Sequence, residues 1–376
     1  MIEKIHIQNF KSIYDLELEV GRVNLFIGEN GSGKSNLLEA LVFVSASESN
    51  MLANEFLVSR GLRVPEPELM RSAFDEGDNK KDIKICIINN LIENTYYFFN
   101  NNKPYTNWEV KDDISNRIES IYKILYSDKA QEFYPTEAEW LKEDEETIPM
   151  LFSLKESLHF KNFIIYSPEN TALRVFQKEG QIQPLGINGE GLLKLLKVIN
   201  SYEDKSYINT IIKSLQLFNW FEDITIPTES LEDKVVIKDK FLYREFTQKS
   251  ANEGFLFILF YITLIVAKET PKAFAIDNID ASLNPKLCTK LMTLLTDLAK
   301  KYDKQIFLTT HNPAILDGVD LNDNEQKLFV VSRNKKGYTR MKEIIAKDKP
   351  KSSTNEPLKL SEAFLRGYLG GLPKGF

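Results

Sequence analysis

An α/β fold is predicted by three observations in the sequence. An apolar stretch at residues 23–27 runs directly into GENGSGKS at 28–35 and then into a helical pattern; a second apolar stretch, 273–277, ends on an acid; a third, 305–310, ends on His311-Asn312-Pro313. All three read as strands that finish in polar residues, and ligands of open α/β sheets gather at the carboxyl ends of strands. Lys34, Asp277 and His311 are therefore expected to converge on one phosphate.

Taken in order, alternation at residues 2–7 and the patch 16–20 predict two short strands ahead of the strand at 23–27. Gly28, four intervening residues (Glu29, Asn30, Gly31 and Ser32), then Gly33, Lys34 and Ser35 complete a P-loop, and Asn36 carries the pattern into a helix over 36–44. Each residue type has a task. Glycines let backbone amides turn inward around phosphate oxygens, the helix N-terminus adds positive potential, Lys34 neutralises the β and γ phosphates of ATP, and the Ser35 hydroxyl can ligate Mg2+. Such a loop needs a second strand that presents a carboxylate to the metal, and Asp277 is the candidate. The alternative is an Asp that merely ends a buried strand. His311 alone would read as structural, but its place after the third strand favours a phosphate contact.

Composition narrows the classes. The chain has 376 residues with 48 Lys plus Arg against 54 Asp plus Glu, a net charge of −6 that argues against a general basic coat for nucleic acid while allowing a local patch. Cys86 and Cys288 lie too far apart to suggest a disulfide framework, which points to a reducing compartment. His6, His159 and His311 show no ligand spacing, so any metal is expected to be a hard cation on oxygen ligands. The apolar run 255–267 is too short to span a bilayer and reads as a buried helix, and the start lacks a signal-peptide core. A soluble, cytoplasmic protein without membrane contact is expected.

These motifs resemble ABC-type ATPases of the SMC, RecF and OLD kind, most nearly the stand-alone OLD-like AAA ATPases of bacterial antiphage defence. The resemblance rests on IHIQNFKSI followed by GENGSGKSNLLEAL, on AIDNIDASLNP and FLTTHNP, on SANEG at 250–254, and in the middle on GINGEGLLKLL at 186–196. It implies an ABC-type P-loop ATPase head with a mixed sheet, an antiparallel β lobe and an inserted, mainly helical lobe. In this family the signature serine and glycine of one subunit cap the γ-phosphate bound by another, so Ser250 and Gly254 would take that role in a homodimer or higher homo-oligomer. The alternative is that Ser250 only N-caps the helix starting near Asn252. The segment Ala281-Ser282-Leu283-Asn284 likewise resembles the loop that touches the partner subunit.

One departure bears on mechanism. The family usually follows the metal-strand Asp with a Glu that orients or deprotonates the attacking water, and this chain has Asn278, an amide that cannot take a proton. Asp280 could substitute only if its loop turned it toward the water. Weak hydrolysis is expected, with ATP acting more as an assembly ligand than as a fuel.

The domains expected are a discontinuous core, residues 1–48 and 250–345, an inserted β and helical lobe at 49–249, and a tail at 346–376. Strands are predicted at 83–88 and 95–99, helices at 113–126, 191–200 and 208–217, and no long coiled-coil heptad pattern is present. The acid-rich stretch 137–146 around Trp140 reads as a solvated face. A late basic cluster includes Lys327, Arg333, Lys335, Lys336, Arg340, Lys342, Lys347, Lys349 and Lys351. Most of it falls on a predicted hairpin with Lys336-Gly337 in the turn, which could contact nucleic acid through phosphates or simply cover an exposed edge. After His311 no acidic triad of a Toprim nuclease appears. The function expected from the resemblance is an ATP-binding, slowly hydrolysing ATPase that acts as sensor and scaffold for a separate effector nuclease or toxin. The alternative is a RecF-like DNA-binding ATPase of repair.

Overall fold

Val23, Leu25 and Ile27 enter one apolar cluster while Phe26 enters another. Strand β3, Val23–Gly28, is accordingly buried along its whole length, as a parallel strand covered on both faces must be. The computed structural model describes residues 1–75, 77–89, 93–103, 106–115, 162–176, 184–226, 234–350 and 357–371. In it, β3 pairs in parallel with β12, Gln305–Thr310, on one side and with β13, Gln326–Arg333, on the other. Beyond β12 lie β11, Ala273–Ile276, and β7, Ile165–Tyr166, both parallel; β14, Thr339–Ile344, closes the opposite edge antiparallel to β13. The mixed sheet therefore runs β14-β13-β3-β12-β11-β7. Its register sets Ile27 beside Thr310 and Leu308 beside Ile276, so the segments carrying Lys34, Asp277 and His311 leave the same edge.

A second sheet is antiparallel throughout. It orders β2 (Ile13–Glu19), β1 (Lys4–Phe10), β4 (Ile83–Ile88), β5 (Glu93–Phe99) and β6 (Glu109–Asp112) side by side. Every second residue of β5 is buried, the pattern of a strand with one covered face. Helix α1, Lys34–Glu48, packs in the cluster these strands share with Phe26, Phe307 and Phe329. Phe43 stacks on Phe98 at 4.1 Å and meets Trp108 edge-on at 5.3 Å. β1 pairs with β4 and β7 with β11, so residues 1–48, 49–249 and 250–345 contribute strands to these two sheets together.

The other face of the mixed sheet is covered by α5 (Leu192–Ser201), α6 (Ser206–Leu215), α7 (Glu253–Val266) and α8 (Pro285–Lys301). Helix α7 takes up the apolar run of the sequence. The inserted lobe, expected to mix β and helical elements, also holds an antiparallel sheet of β8 (Phe221–Thr225), β9 (Val236–Asp239) and β10 (Phe246–Thr247), whose individual strands the sequence reading did not mark. Its strands are two to five residues long, too short to announce themselves by alternation. The predicted hairpin forms as β13–β14, with Gly337 at φ 87° in its turn. Most of the helix predicted over 113–126 and the acid-rich 137–146 lie outside the described residues. Among the described residues, no helix is long and apolar enough to cross a membrane.

Candidate nucleotide-binding site

The P-loop is shaped by close approach of the hairpin. Gly33 has φ 106°, and a Cβ there would stand 2.1 Å from the Thr339 hydroxyl oxygen; a Cβ at Gly28 would stand 2.1 Å from the Val331 carbonyl oxygen. At Gly33 both the conformation and the space call for glycine, and at Gly28 the space alone does. Thr339 Oγ1 donates to the Ser32 carbonyl at 2.9 Å, Ser12 and Thr339 share a 2.6 Å hydroxyl bond, and Asn36 Nδ2 donates to Ser12 Oγ at 2.6 Å. The loop is thereby tied to both sheets.

Lys34 is 5% exposed, and its ammonium donates to the carbonyls of Gly28 and Glu29, each at 2.9 Å. Burial pushes its pKa down to about 8, against the opposing pull of Asp277, Glu29 and Asp280. Ser35 Oγ donates to Asp277 Oδ2 at 3.3 Å, and the other Asp277 oxygen accepts from the Thr309 hydroxyl. One hydroxyl facing one carboxylate is a hard-oxygen pair that fits magnesium, whose remaining ligands are ordinarily waters and phosphate oxygens. Among the described residues, His, Cys, Asp and Glu gather in no group of three or more that could hold a metal. A cation here would therefore depend on the phosphates it neutralises.

Asn30, Gly31, Gly33, Lys34, Ser35, Asn36, Asp277, Asn278 and His311 line one cavity of about 240 Å³, so the three strand ends open on the same space. Asn278 has φ 56° and its amide donates to Thr309 Oγ1 at 2.9 Å. Asp280 is not in the lining; its carboxylate accepts from Thr310 Oγ1 at 2.5 Å. Burial and the neighbouring Lys34 hold the His311 pKa below its ordinary value, leaving a neutral ring that can donate a hydrogen bond at neutral pH.

Two further residues line the cavity, Arg63 and Arg333. Arg63 Nε donates to Glu39 Oε1 at 2.6 Å, and the buried Glu39 takes Lys11 on its other oxygen, also at 2.6 Å. Arg333 Nε donates to the Gly31 carbonyl at 2.8 Å. Arg333 was visible in sequence only as part of the basic hairpin, and no motif marks Arg63. With Lys34 and both arginines against Asp277, the lining suits a polyphosphate.

A pH dependence follows. With its pKa at about 8, Lys34 is charged below that pH, and added phosphates raise the value. Polyphosphate binding above pH 8 then requires uptake of a proton, so affinity is full below 8 and falls above it. The ATP dissociation constant is expected to rise by up to about tenfold per pH unit above 8. Calorimetry in buffers of different ionisation enthalpy measures the uptake, and a flat affinity from pH 7 to 10 would contradict this reading of Lys34.

Ser250 and Gly254 are not in the cavity lining. Ser250, itself exposed, ends a 3₁₀ turn, Gln248–Ser250, that begins on the buried Gln248, and the cap of α7 is Asn252, whose side chain accepts from the Phe255 amide at 2.8 Å. The capping alternative for Ser250 is thus removed. A Cβ on Gly254 would lie 3.0 Å from the Ser282 carbonyl oxygen and 3.2 Å from the Leu283 side chain. Gly254 and the loop after the Asp277 strand therefore pack together.

A family described as "AAA domain, putative AbiEii toxin, Type IV TA system" matches residues 23–317. An uncharacterized protein of Methanocaldococcus jannaschii is 46% identical over 67 residues, 16% of this chain and 31% of that protein. The DNA replication and repair protein RecF of Listeria welshimeri is 42% identical over 55 residues, 14% of this chain and 15% of RecF. That of Porphyromonas gingivalis is 43% identical over 61 residues, 16% and 17%. The chain thus spans less than a third of the length of these curated relatives. Among solved structures, the Smc head bound to the C-winged helix domain of ScpA aligns with TM-score 0.56 and 14% identity over 92% of this chain and 98% of that one. An Smc head with an extended coiled coil, bound to the C-terminal domain of ScpA derived from Pyrococcus furiosus, gives 0.50 and 14% over 92% and 96%. These two likenesses show a shared fold.

Proposed function

The chain belongs to the AAA domain family described as putative AbiEii toxin, Type IV TA system, its fold is that of an ABC-type ATPase of the SMC and RecF kind, and on that premise we propose that it binds Mg-ATP, hydrolyses it slowly and self-associates through its nucleotide face. The observation that carries the proposal is the single cavity in which Lys34, Ser35, Asp277 and His311 meet, lined by three cations and one carboxylate. Lys34, Arg63 and Arg333 would hold the phosphates, Ser35 and Asp277 would ligate magnesium, and His311 would donate to the γ-phosphate. Bound magnesium would neutralise phosphate charge. Gly28, Glu29, Asn30, Gly31, Ser32, Gly33 and Asn36 form and brace the cradle.

Self-association is supported by the separation of Ser250 and Gly254 from the cavity of their own chain. Gly254, packed on the 281–284 loop, and the exposed Ser250 would together form a surface that could cap the nucleotide of a second copy. Slow turnover is supported by Asn278, which lines the cavity without a basic side chain, and by the Thr310 bond that engages Asp280. ATP would then hold an assembly together more than drive it. We take residues 1–48 and 250–345 as the ATPase core, 49–249 as its inserted lobe and 346–376 as a tail.

In the cytoplasm, such an assembly would serve as sensor and scaffold for a separate effector, a nuclease or toxin, in antiphage defence. Phage plating on cells that express the chain with its neighbouring genes tests this. Protection that disappears with Lys34→Ala is expected, and equal plating on wild type, mutant and empty cells would rule the role out.

A second reading, a RecF-like ATPase that binds DNA in repair, is favoured by the local likeness to RecF and by exposed Lys335, Lys336, Arg340 and Lys342 on the hairpin. Tight, ATP-dependent and steeply salt-dependent binding of DNA by the chain alone would support it.

A further inference from the structure

We propose that Arg174 is a positioning residue that holds the loop carrying Ser250 in the shape needed to meet nucleotide on a second copy of this chain. The inference rests on the self-association reading above. Arg174 follows the short helix α4, Asn170–Leu173. Its Nη1 donates to the carbonyls of Gln248 at 2.9 Å and Lys249 at 2.7 Å, and its Nη2 to the carbonyl of Ala251 at 2.7 Å. The remaining bond, Nε to Asn170 Oδ1 at 2.8 Å, fixes the plane of the guanidinium.

Three carbonyls that bracket Ser250 thus point at one cation. Between the 3₁₀ turn and the cap of α7, Ala251 adopts an extended conformation, φ −63° and ψ 147°, so the local backbone cannot supply donors to all three oxygens through helix bonds. Converging carbonyl dipoles repel unless a cation sits among them. A guanidinium, with its fork of fixed donors, reaches all three at once, whereas an ammonium has no planar fork to match them. Loss of Arg174 would free the turn to rotate its carbonyls toward water and carry the Ser250 hydroxyl away.

The other end of this segment reaches the nucleotide site. Tyr166, the last residue of β7, accepts from the Asp277 amide at 2.9 Å, and the following residues are held by Ser167 N to the Ile187 carbonyl at 2.7 Å and Glu169 N to the Asn188 carbonyl at 2.8 Å. One short stretch, from Tyr166 to Arg174, therefore joins the backbone of the proposed metal ligand to the loop that would face the partner's phosphate. Nothing in it lines the cavity, so Arg174 acts through the Ser250 loop and not on the nucleotide of its own chain.

The test compares wild type, Arg174→Ala and Asn170→Ala in the full-length chain. Two quantities are read: affinity for Mg-ATP at a dilution where the chain is monomeric, and the ATP-dependent association constant by sedimentation. Arg174→Ala should leave the first within about twofold and weaken the second by at least about tenfold, the loss of charged hydrogen bonds. Methylguanidinium at millimolar concentration should restore part of the association. Asn170→Ala, which keeps the guanidinium but frees its plane, should act in the same direction with a smaller fold-change. Wild-type association in Arg174→Ala overturns the proposal, as does a loss of ATP affinity that parallels the loss of association. Should Arg174→Ala fail to fold, Asn170→Ala decides alone, and unchanged association there overturns it. Failure of the wild type itself to associate with Mg-ATP removes the underlying reading first, a result distinct from an associating wild type with an indifferent Arg174→Ala.

Discussion

Lys34→Ala is expected to weaken Mg-ATP binding by about two orders of magnitude or more and to leave the fold intact. The size follows from what the ammonium contributes: charge-assisted hydrogen bonds to phosphate oxygens in a partly enclosed cavity, each worth about 2 kcal/mol, where 1.4 kcal/mol is tenfold in affinity. The intact fold follows from the cost of holding that ammonium in place. Its pKa of about 8 lies below the ordinary lysine value because burial disfavours the charge more than Asp277, Glu29 and Asp280 support it. The charged form is thus under strain at neutral pH, and alanine relieves that strain while surrendering two bonds to the loop's own carbonyls, Gly28 and Glu29. Calorimetric titration with Mg-ATP, beside a thermal melt, reads both quantities. A dissociation constant within threefold of wild type would mean that nucleotide enters elsewhere.

Asn278→Glu is expected to raise single-turnover hydrolysis about a hundredfold, the lower end of what a positioned general base contributes. Asn278 already lines the cavity, and its backbone is fixed by the bond from its amide to Thr309 Oγ1 at 2.9 Å. A glutamate there would extend a carboxylate toward water on the γ-phosphate. Some of the gain is offset, since φ 56° suits asparagine better than glutamate, at a cost of about 1 kcal/mol. Asp280 does not fill the gap in the present geometry, because Thr310 donates to its carboxylate. Phosphate release should therefore change little in Asp280→Ala. An unaltered rate in Asn278→Glu together with a collapse in Asp280→Ala would move the base to Asp280 and end the argument from Asn278.

How far the sequence could be read depended on the range of the interactions concerned. The P-loop was legible because its chemistry is local: strand, glycines, Lys34 and helix follow one another, and their spacing carries the site. Helix α7 was legible from an apolar run that only burial explains. Asp277 and His311 were legible because each ends an apolar strand, though nothing but the parallel pairing of β3, β12 and β11 brings them to Lys34. By contrast, β7 is two residues long, with no period to detect. Arg63 reaches the cavity through Glu39, and Arg174 reaches the Ser250 loop across more than seventy residues, so neither leaves a local pattern. The pairing of β1 with β4 likewise joins segments separated by the whole of α1, and no local pattern announces it.

The central claim, that ATP assembles this chain more than it fuels it, is tested most directly by native mass with and without Mg-ATP, with phosphate release followed in the same samples. The account predicts a larger species that forms with Mg-ATP, persists while little phosphate appears, and is absent from Lys34→Ala. Rapid phosphate release with no change in mass would contradict it.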